Sequence, residues 1–327
     1  MNNTFKISHV LLLLITILLL LNCEDKPEPG KQFLEGEQIQ GTEDFVPLHL
    51  FGETRKFDVS PDGKSMVYTG RVTISDDRRG LWVINLETGE KRRLLEDGLS
   101  ADWSPDGKWI AFDKGWQIFK VRPDGSDLTQ LTFKGANLNP DWSPDSQQLL
   151  YNNIDCGSQA EPTPPNSCGV LKMNSDGSNQ NIIIESEFDA TWISNESFFT
   201  NHGVVFDTGG NHIENYDFNL GYSNADVSRN FKRVIIANNE GIYYMNSDGT
   251  GYQKILPNKY KNKNGEIVLY TGSPTWCLDN KHIIYEHFRV TKTEHGEPDG
   301  GTLAEGYISF YKLNVDSALA VSNMENY

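Results

Sequence analysis

Along most of its length the chain alternates short apolar runs with turns rich in Pro, Asp and Gly. Met66-Val67-Tyr68 follows Ser60-Pro61-Asp62-Gly63-Lys64, Ile110-Ala111-Phe112 follows Ser104-Pro105-Asp106-Gly107-Lys108, and Leu149-Leu150-Tyr151 follows Ser143-Pro144-Asp145-Ser146. Runs of this length bounded by turn residues read as strands. Pro presets φ at the second turn position, Asp tolerates the third and Gly takes positive φ. A second turn recurs in four units, at Glu87-Thr88-Gly89, Pro123-Asp124-Gly125, Ser175-Asp176-Gly177 and Asp248-Gly249, and Asp-Gly between apolar runs is a hairpin signal. Each unit therefore predicts four strands. A carries the Asp-Trp-Ser segment, B follows the first turn, C precedes the second turn, and D follows it.

Three further units are degenerate versions of the first three. They begin at Ala190-Thr191-Trp192, Ala225-Asp226-Val227-Ser228 and Pro274-Thr275-Trp276-Cys277, and the last ends near Val321. A period of about 40 residues marks a repeat architecture. Six four-stranded units predict an all-β fold, a six-bladed β-propeller of four-stranded antiparallel blades. The Ser-Pro-Asp-Gly-Lys repeats resemble the WD-like propeller repeats of the TolB family over roughly residues 47 to 321, most specifically in the first three units. TolB itself carries an additional α/β domain before its propeller; here a tether lies in that place.

Composition narrows the functional classes. The 327 residues include 16 Phe, 13 Tyr and 7 Trp, enough ring mass to fill seams between small sheets, and the formal net charge is −16. Such a surface repels polyanions, which excludes nucleic acid as a partner. At the N-terminus, Lys6 precedes the apolar run Val10 to Leu21, broken only by Thr16. It has the length of a signal-peptide core and is too short to span a bilayer. Leu20-Leu21-Asn22-Cys23 resembles the lipobox of bacterial lipoproteins. That implies cleavage after residue 22 and acylation of Cys23, and several acyl chains give a stable membrane anchor. The acidic segment 23–46 is expected to be a flexible tether, and 47–327 the propeller. The expected location is the outer membrane, on the periplasmic or cell-surface side.

Four tryptophans, Trp103, Trp142, Trp192 and Trp276, share one position of strand A, where Val59 and Val227 stand in the other two units. They are expected to pack between blades. One residue earlier in the same strand stand Asp58, Asp102, Asp141, Thr191, Asp226 and Thr275. Strand A is innermost in a propeller, so these six could fringe the central channel. Their oxygens suit Ca²⁺ or ordered water; the more ordinary reading is that each aspartate accepts backbone hydrogen bonds at its own turn. No other cofactor is expected.

Propeller connections alternate between two faces. The A–B and C–D hairpins are short; the D–A and B–C connections include three long stretches. These are Asn152 to Cys168, Pro257 to Ser273 with Lys259, Lys261 and Lys263, and Phe288 to Glu305 with His295, Glu297 and Asp299. Long loops on a rigid scaffold concentrate binding residues, so this face is the expected binding face. Cys156 and Cys168 flank a Pro-rich segment and are expected to form a disulfide in an exported protein. Cys277 is expected to be a buried free thiol.

Two functions fit this reading. One is a non-enzymatic, monomeric binding or scaffold module of the cell envelope with a protein or glycan partner, held to the membrane by its lipid. The other is a propeller-based carbohydrate-active enzyme, a lyase or hydrolase. The sequence holds no Gly-x-Ser-x-Gly elbow, His-Glu-x-x-His or phosphate loop. The mature chain's histidines, His49, His202, His212, His282, His287 and His295, are scattered over it, and no catalytic residue or metal-ligand set is assigned.

Overall fold

Each repeat builds its first turn from its own side chains. Ser60 Oγ donates to Asp62 Oδ1 at 2.6 Å and accepts the Ser65 N–H at 2.9 Å, while Asp62 Oδ1 takes the Lys64 N–H at 3.0 Å. The same three bonds recur at Ser104/Asp106 and Ser143/Asp145, and with Asn230 in place of Asp at Ser228. The residue after the acid or amide turns left-handed, at φ 71° for Gly63 and 75° for Gly107. Glycine adopts that conformation without steric cost, so the motif is a self-sufficient corner between two strands.

The structure, a computed structural model, describes residues 34–40, 43–50, 56–70, 80–155, 168–216, 224–238, 240–261, 266–270, 274–295 and 302–324. Two strands lead in, β1 (Glu37–Gln38) and β2 (Asp44–Leu50). Blade 1 is β3 (Asp58–Val59), β4 (Ser65–Gly70), β5 (Gly80–Asn85) and β6 (Lys91–Leu95). Blade 2 is β7 (Leu99–Trp103), β8 (Ile110–Lys114), β9 (Gln117–Val121) and β10 (Thr129–Gln130). Blade 3 is β11 (Asn137–Trp142), β12 (Gln148–Asn153), β13 (Gly169–Asn174) and β14 (Asn181–Glu185). Blade 4 is β15 (Thr191–Trp192), β16 (Ser197–Phe199), β17 (Val204–Asp207) and β18 (His212–Asn215). Blade 5 is β19 (Asn224–Val227), β20 (Arg233–Asn238), β21 (Gly241–Asn246) and β22 (Gln253–Pro257). Then come β23 (Lys259–Lys261), β24 (Ile267–Tyr270), β25 (Thr275–Trp276), β26 (His282–His295), β27 (Thr302–Asn314) and one helix, α1 (Val315–Met324).

Blades 1 to 5 are four-stranded antiparallel sheets in chain order. The innermost strands touch in sequence, β3 to β7, β11, β15, β19 and β25, and β25 returns to β3. The fold is the expected six-bladed β-propeller.

The core is six seams rather than one centre. Side chains alternate across each sheet, so one strand feeds two seams. In β8, Ile110 and Phe112 face blade 1 beside Val67, Leu81 and Trp103, while Ala111 faces blade 3 beside Trp142 and Tyr151. Trp192 packs against Leu150 and Val170 of blade 3, and Trp276 against Ile235 and Ile242 of blade 5. The seam between blades 6 and 1 has Val59 where a tryptophan would stand. Rings from elsewhere fill it: Phe310 meets Phe57 edge-on at 5.0 Å between centroids and Tyr68 at 5.5 Å.

Blade 6 closes the ring differently from the sequence expectation. Its outer positions come from the other end of the chain, since β1 and β2 both pair antiparallel with β27, Glu37 opposite Lys312 and Asp44 opposite Ile308. Leu34 packs on the seam of blades 5 and 6 and Ile39 on that of 6 and 1, and the Ile39 N–H donates to Phe310 O at 2.9 Å. The segment 23–46, expected to be tether throughout, is therefore docked from Leu34 onward, because its apolar residues have seams to enter. Residues 315–324, expected to finish the sixth unit, instead form α1, with Val315 and Ala318 buried in the seam of blades 5 and 6. Asn314 caps it by accepting the Ser317 N–H at 2.9 Å.

Two of the three expected long loops are largely strand. β26 and β27 form an extended hairpin in register from His282↔Asn314 to His295↔Thr302, with a shift between Val290 and Lys292. β23 and β24 pair with each other, and β24 joins β26, Leu269 opposite Phe288. The stretches 257–273 and 288–305 thus meet in one sheet that prolongs blade 6 on the D–A and B–C face. Alternation through Phe288-Arg289-Val290-Thr291 favours strand over loop.

Candidate functional site

The six aligned residues of strand A do converge on the axis, and their bonds reveal their role. Asp58 Oδ2 accepts the Trp103 N–H at 2.9 Å, Asp102 Oδ2 the Trp142 N–H at 2.7 Å, Asp141 Oδ2 the Trp192 N–H at 3.2 Å, and Asp226 Oδ2 the Trp276 N–H at 2.7 Å. Each carboxylate reaches the next blade, and Asp58 and Asp226 also accept the N–H of the residue that follows them, Val59 and Val227, with Oδ1 at 2.7 Å. The two threonines complete the circle. Thr191 Oγ1 lies 3.5 Å from Ala225 O, and Thr275 Oγ1 lies 2.9 Å from Asp226 Oδ2 and 3.1 Å from Asp58 Oδ1. The repeated Asp-Trp pair is a stitch: the tryptophan fills a seam and its N–H is fixed by the preceding blade's aspartate.

Two basic side chains enter this ring. Lys56, two residues before Asp58, puts Nζ 3.0 Å from Asp102 Oδ1, 2.5 Å from Asp141 Oδ1 and 3.2 Å from Pro140 O. Arg229, which takes the proline position of the fifth turn, donates to Val59 O at 3.0 Å and stands 3.7 Å from Asp58 Oδ1. Four carboxylates thus face two cations. Burial pushes the Asp58 carboxyl up to about 7, with Asp102 and Asp226 adding to the rise and Arg229 opposing it. Burial raises Asp141 to about 6 against the pull of Lys56, and raises Asp226 as well. Burial alone would lower Lys56, but Asp102 and Asp141 outweigh it and hold the ammonium above its usual value. The Thr275 hydroxyl has one proton for two carboxylates, and a proton retained on Asp58 satisfies both contacts.

The sequence analysis missed Lys56 and Arg229. Both are departures from the repeat, Lys56 standing where other units have Ser100, Asn139 and Asp189, and Arg229 where they have Pro61, Pro105 and Pro144.

The expected binding-face residues are only partly in view. Lys259 and Lys261 are exposed on β23, and His295 ends β26 opposite Thr302. Lys263, Glu297 and Asp299 lie outside the described residues, as do Cys23 and Cys156. Cys168 directly precedes β13. Cys277 is a buried free thiol, pushed up to about 12 by burial, which makes it a poor nucleophile. The nearest acid–base pair, Asp279 Oδ2 and His282 Nδ1 at 2.6 Å, sits on the sixth A–B turn with Asn314 Nδ2 3.3 Å from Nε2. His202 bonds Glu187 on blade 4 and His287 bonds Glu35 on blade 6. Among the described residues no group of three His, Cys, Asp or Glu is placed to hold a metal ion.

The ring of six sheets defines the class, a six-bladed β-propeller, the fold that the repeats foretell. The chain is similar to TolB from Acinetobacter baumannii, with TM-score 0.50 and 13% identity over 83% of this chain and 65% of that one. It is also similar to a gluconolactonase from Xanthomonas campestris, with TM-score 0.52 and 12% identity over 86% of this chain and 99% of that one. An oligogalacturonate lyase from Vibrio parahaemolyticus follows at TM-score 0.48 and 12% identity over 84% and 98%. The chain thus spans 65% of that TolB's length, and at these identities the likeness shows the fold alone. No protein-family model and no curated protein matches the sequence. Among the described residues no helix is long and apolar enough to cross a membrane.

Proposed function

We propose that the chain is a non-enzymatic binding module of the cell envelope, anchored by a lipid on Cys23, that engages a protein or glycan through the face formed by its D–A and B–C connections. The observation that carries this reading is the use to which the channel's chemistry is put. Each ring carboxylate accepts an N–H from the neighbouring blade, and the ring's two cations are Lys56 and Arg229 of the chain itself. The longest insertions into the repeat lie elsewhere, in the prolonged sheet over blade 6 and in the stretch between Asn152 and Cys168. A Cys156–Cys168 bridge would tie down that stretch, and the Lys56 ammonium takes the position between Asp102 and Asp141 where a Ca²⁺ would sit.

Chemical cross-linking on intact cells with the mature protein tests the reading. A discrete cross-linked partner, retained when the Asp279–His282 pair is broken by His282→Ala, supports it. Turnover of polyuronates or aldonolactones by the purified chain, abolished by His282→Ala or His287→Ala, overturns it in favour of a carbohydrate-active enzyme. A Cys23→Ser protein that still partitions with membranes overturns the lipid anchor.

A further inference from the structure

Four large apolar side chains stand exposed along one arc of the D–A and B–C face, on blades 2 and 3. Leu99 opens β7 opposite Asp113, and Lys114-Gly115-Trp116-Gln117 is the two-residue turn from β8 to β9. Phe133 lies in the connection from β10 to β11, and Ile154 follows β12. Trp116 is 58% and Phe133 73% exposed, and Leu99 and Ile154 are also exposed. Backbone bonds make the arc continuous: the Asn137 N–H donates to Trp116 O and the Ile154 N–H to Ala136 O, each at 2.9 Å.

This surface is rigid. Gln117 Nε2 donates to Gly135 O at 2.8 Å and Asn137 Nδ2 to Lys134 O at 2.6 Å, so two amides clasp the connection that carries Phe133. Gly135, at φ 76°, lies so close to Asn153 that an added Cβ would fall 2.9 Å from its side chain. Trp116 itself is held at φ 63°, after Gly115 at 56°. A turn of this kind favours Asn or Gly, and a bulky residue there is strained. Burial does not compensate, because most of the indole faces solvent. The fold gains nothing from a tryptophan at that position. Strain of this sort collects where a surface is used, and exposed apolar patches mark interaction sites.

We propose that Leu99, Trp116, Phe133 and Ile154 form the docking site for a polypeptide partner whose apolar side chains are flanked by carboxylates. The proposal rests on the binding-module reading and specifies its partner. Aliphatic residues beside the aromatic pair suit protein side chains better than sugar rings, which stack on aromatics. Lys114 and Lys134 adjoin Trp116 and Phe133 in sequence on a chain with 45 Asp and Glu against 29 Lys and Arg; of the nearby carboxylates, Asp113 is buried opposite Leu99 and close enough to Asp97 to feel its charge, and Asp155 follows Ile154. Two lysines beside the two exposed rings, on an anionic protein, favour an acidic sequence.

The test uses the mature chain and three probe sets: short synthetic peptides mixing Leu and Trp with Glu, the same peptides with Lys for Glu, and neutral oligosaccharides. The acidic peptides are expected to bind. Trp116→Asn is expected to keep or raise the melting temperature while weakening that binding at least about tenfold, as loss of an aromatic anchor does. Phe133→Ser is expected to weaken it similarly, and Lys114→Glu with Lys134→Glu to shift preference to the basic peptides. Phe231, another exposed ring at positive φ, lies on the opposite face, and Phe231→Gly is expected to leave binding unchanged. The proposal is overturned by a lowered melting temperature in Trp116→Asn, by peptide binding indifferent to positions 116 and 133, by selective oligosaccharide binding, or by no binding to any peptide. The module reading fails separately, when intact cells yield no cross-linked partner.

Discussion

Lys56 places one ammonium between two carboxylates that would otherwise repel across the channel. A buried charge left without its partner costs about 3–5 kcal/mol, so Lys56→Met is expected to lower unfolding free energy by that amount in denaturant titration. Adding Asp141→Asn, which removes part of the orphaned charge, is expected to restore a portion of it, the non-additivity marking direct contact. Asp58 gives the channel a pH dependence of unusual sign. Its carboxyl titrates near 7 in the folded chain and near 3.8 unfolded. Between those values the folded state binds the extra proton, so this group's contribution to stability falls as pH rises from about 4 to 7 and is flat above. The melting temperature is expected to be higher at pH 5.5 than at pH 8, and Asp58→Asn to reduce that difference, the remainder coming from Asp141 and Asp113, whose carboxyls burial raises to about 6. A melting curve that climbs with pH through this window in the native chain contradicts the assignment. At this scale the sequence was legible where it repeats and opaque where it does not. The register of Asp58, Asp102, Asp141 and Asp226 placed them at the axis, but their targets lie a blade away, some 40 to 51 residues along the chain. Spacing within one repeat carries no information about that contact. Lys56 and Arg229 break the consensus, and the break was their signal.

Strands and seams form the next scale. The tryptophan stitch predicts that Trp192→Ala, which empties a fully packed position and removes the indole N–H donated to Asp141 O at 3.3 Å, costs about 3–5 kcal/mol. Ile39→Ala, at the docked N-terminal strand, is expected to cost about 1–3 kcal/mol and to expose the segment before β2 to limited proteolysis. Equal protease resistance in the two chains contradicts closure by β1. Period-two alternation and turn chemistry made five blades legible with their strand order. The sixth was not, because its outer strand comes from residues that precede the first repeat, and composition alone made them look like tether. The prolonged hairpin of β26 and β27 was read as loop because its charged and small residues weaken the alternation that pairing with β24 and β2 stabilises.

The whole molecule divides its labour between axis and faces. The axis is an ion-paired hub, so added Ca²⁺ or EDTA is expected to leave the melting temperature unchanged. The A–B turns are closed by their own side chains. The D–A and B–C face carries the prolonged sheet of blade 6, the exposed lysines at 259 and 261, and the strained, exposed Trp116. Against a net charge of −16, these lysines put positive charge on this face, and on the proposed reading they steer an acidic partner to it. The most direct measurement is position-specific photo-cross-linking in intact cells, with a photoreactive residue at Trp116, Phe133 or Lys259 on one face and at Phe231 or Leu278 on the other. The predicted result is one discrete partner captured from the first group and none from the second. Capture from Phe231 or Leu278 with silence from Trp116, Phe133 and Lys259 would contradict it.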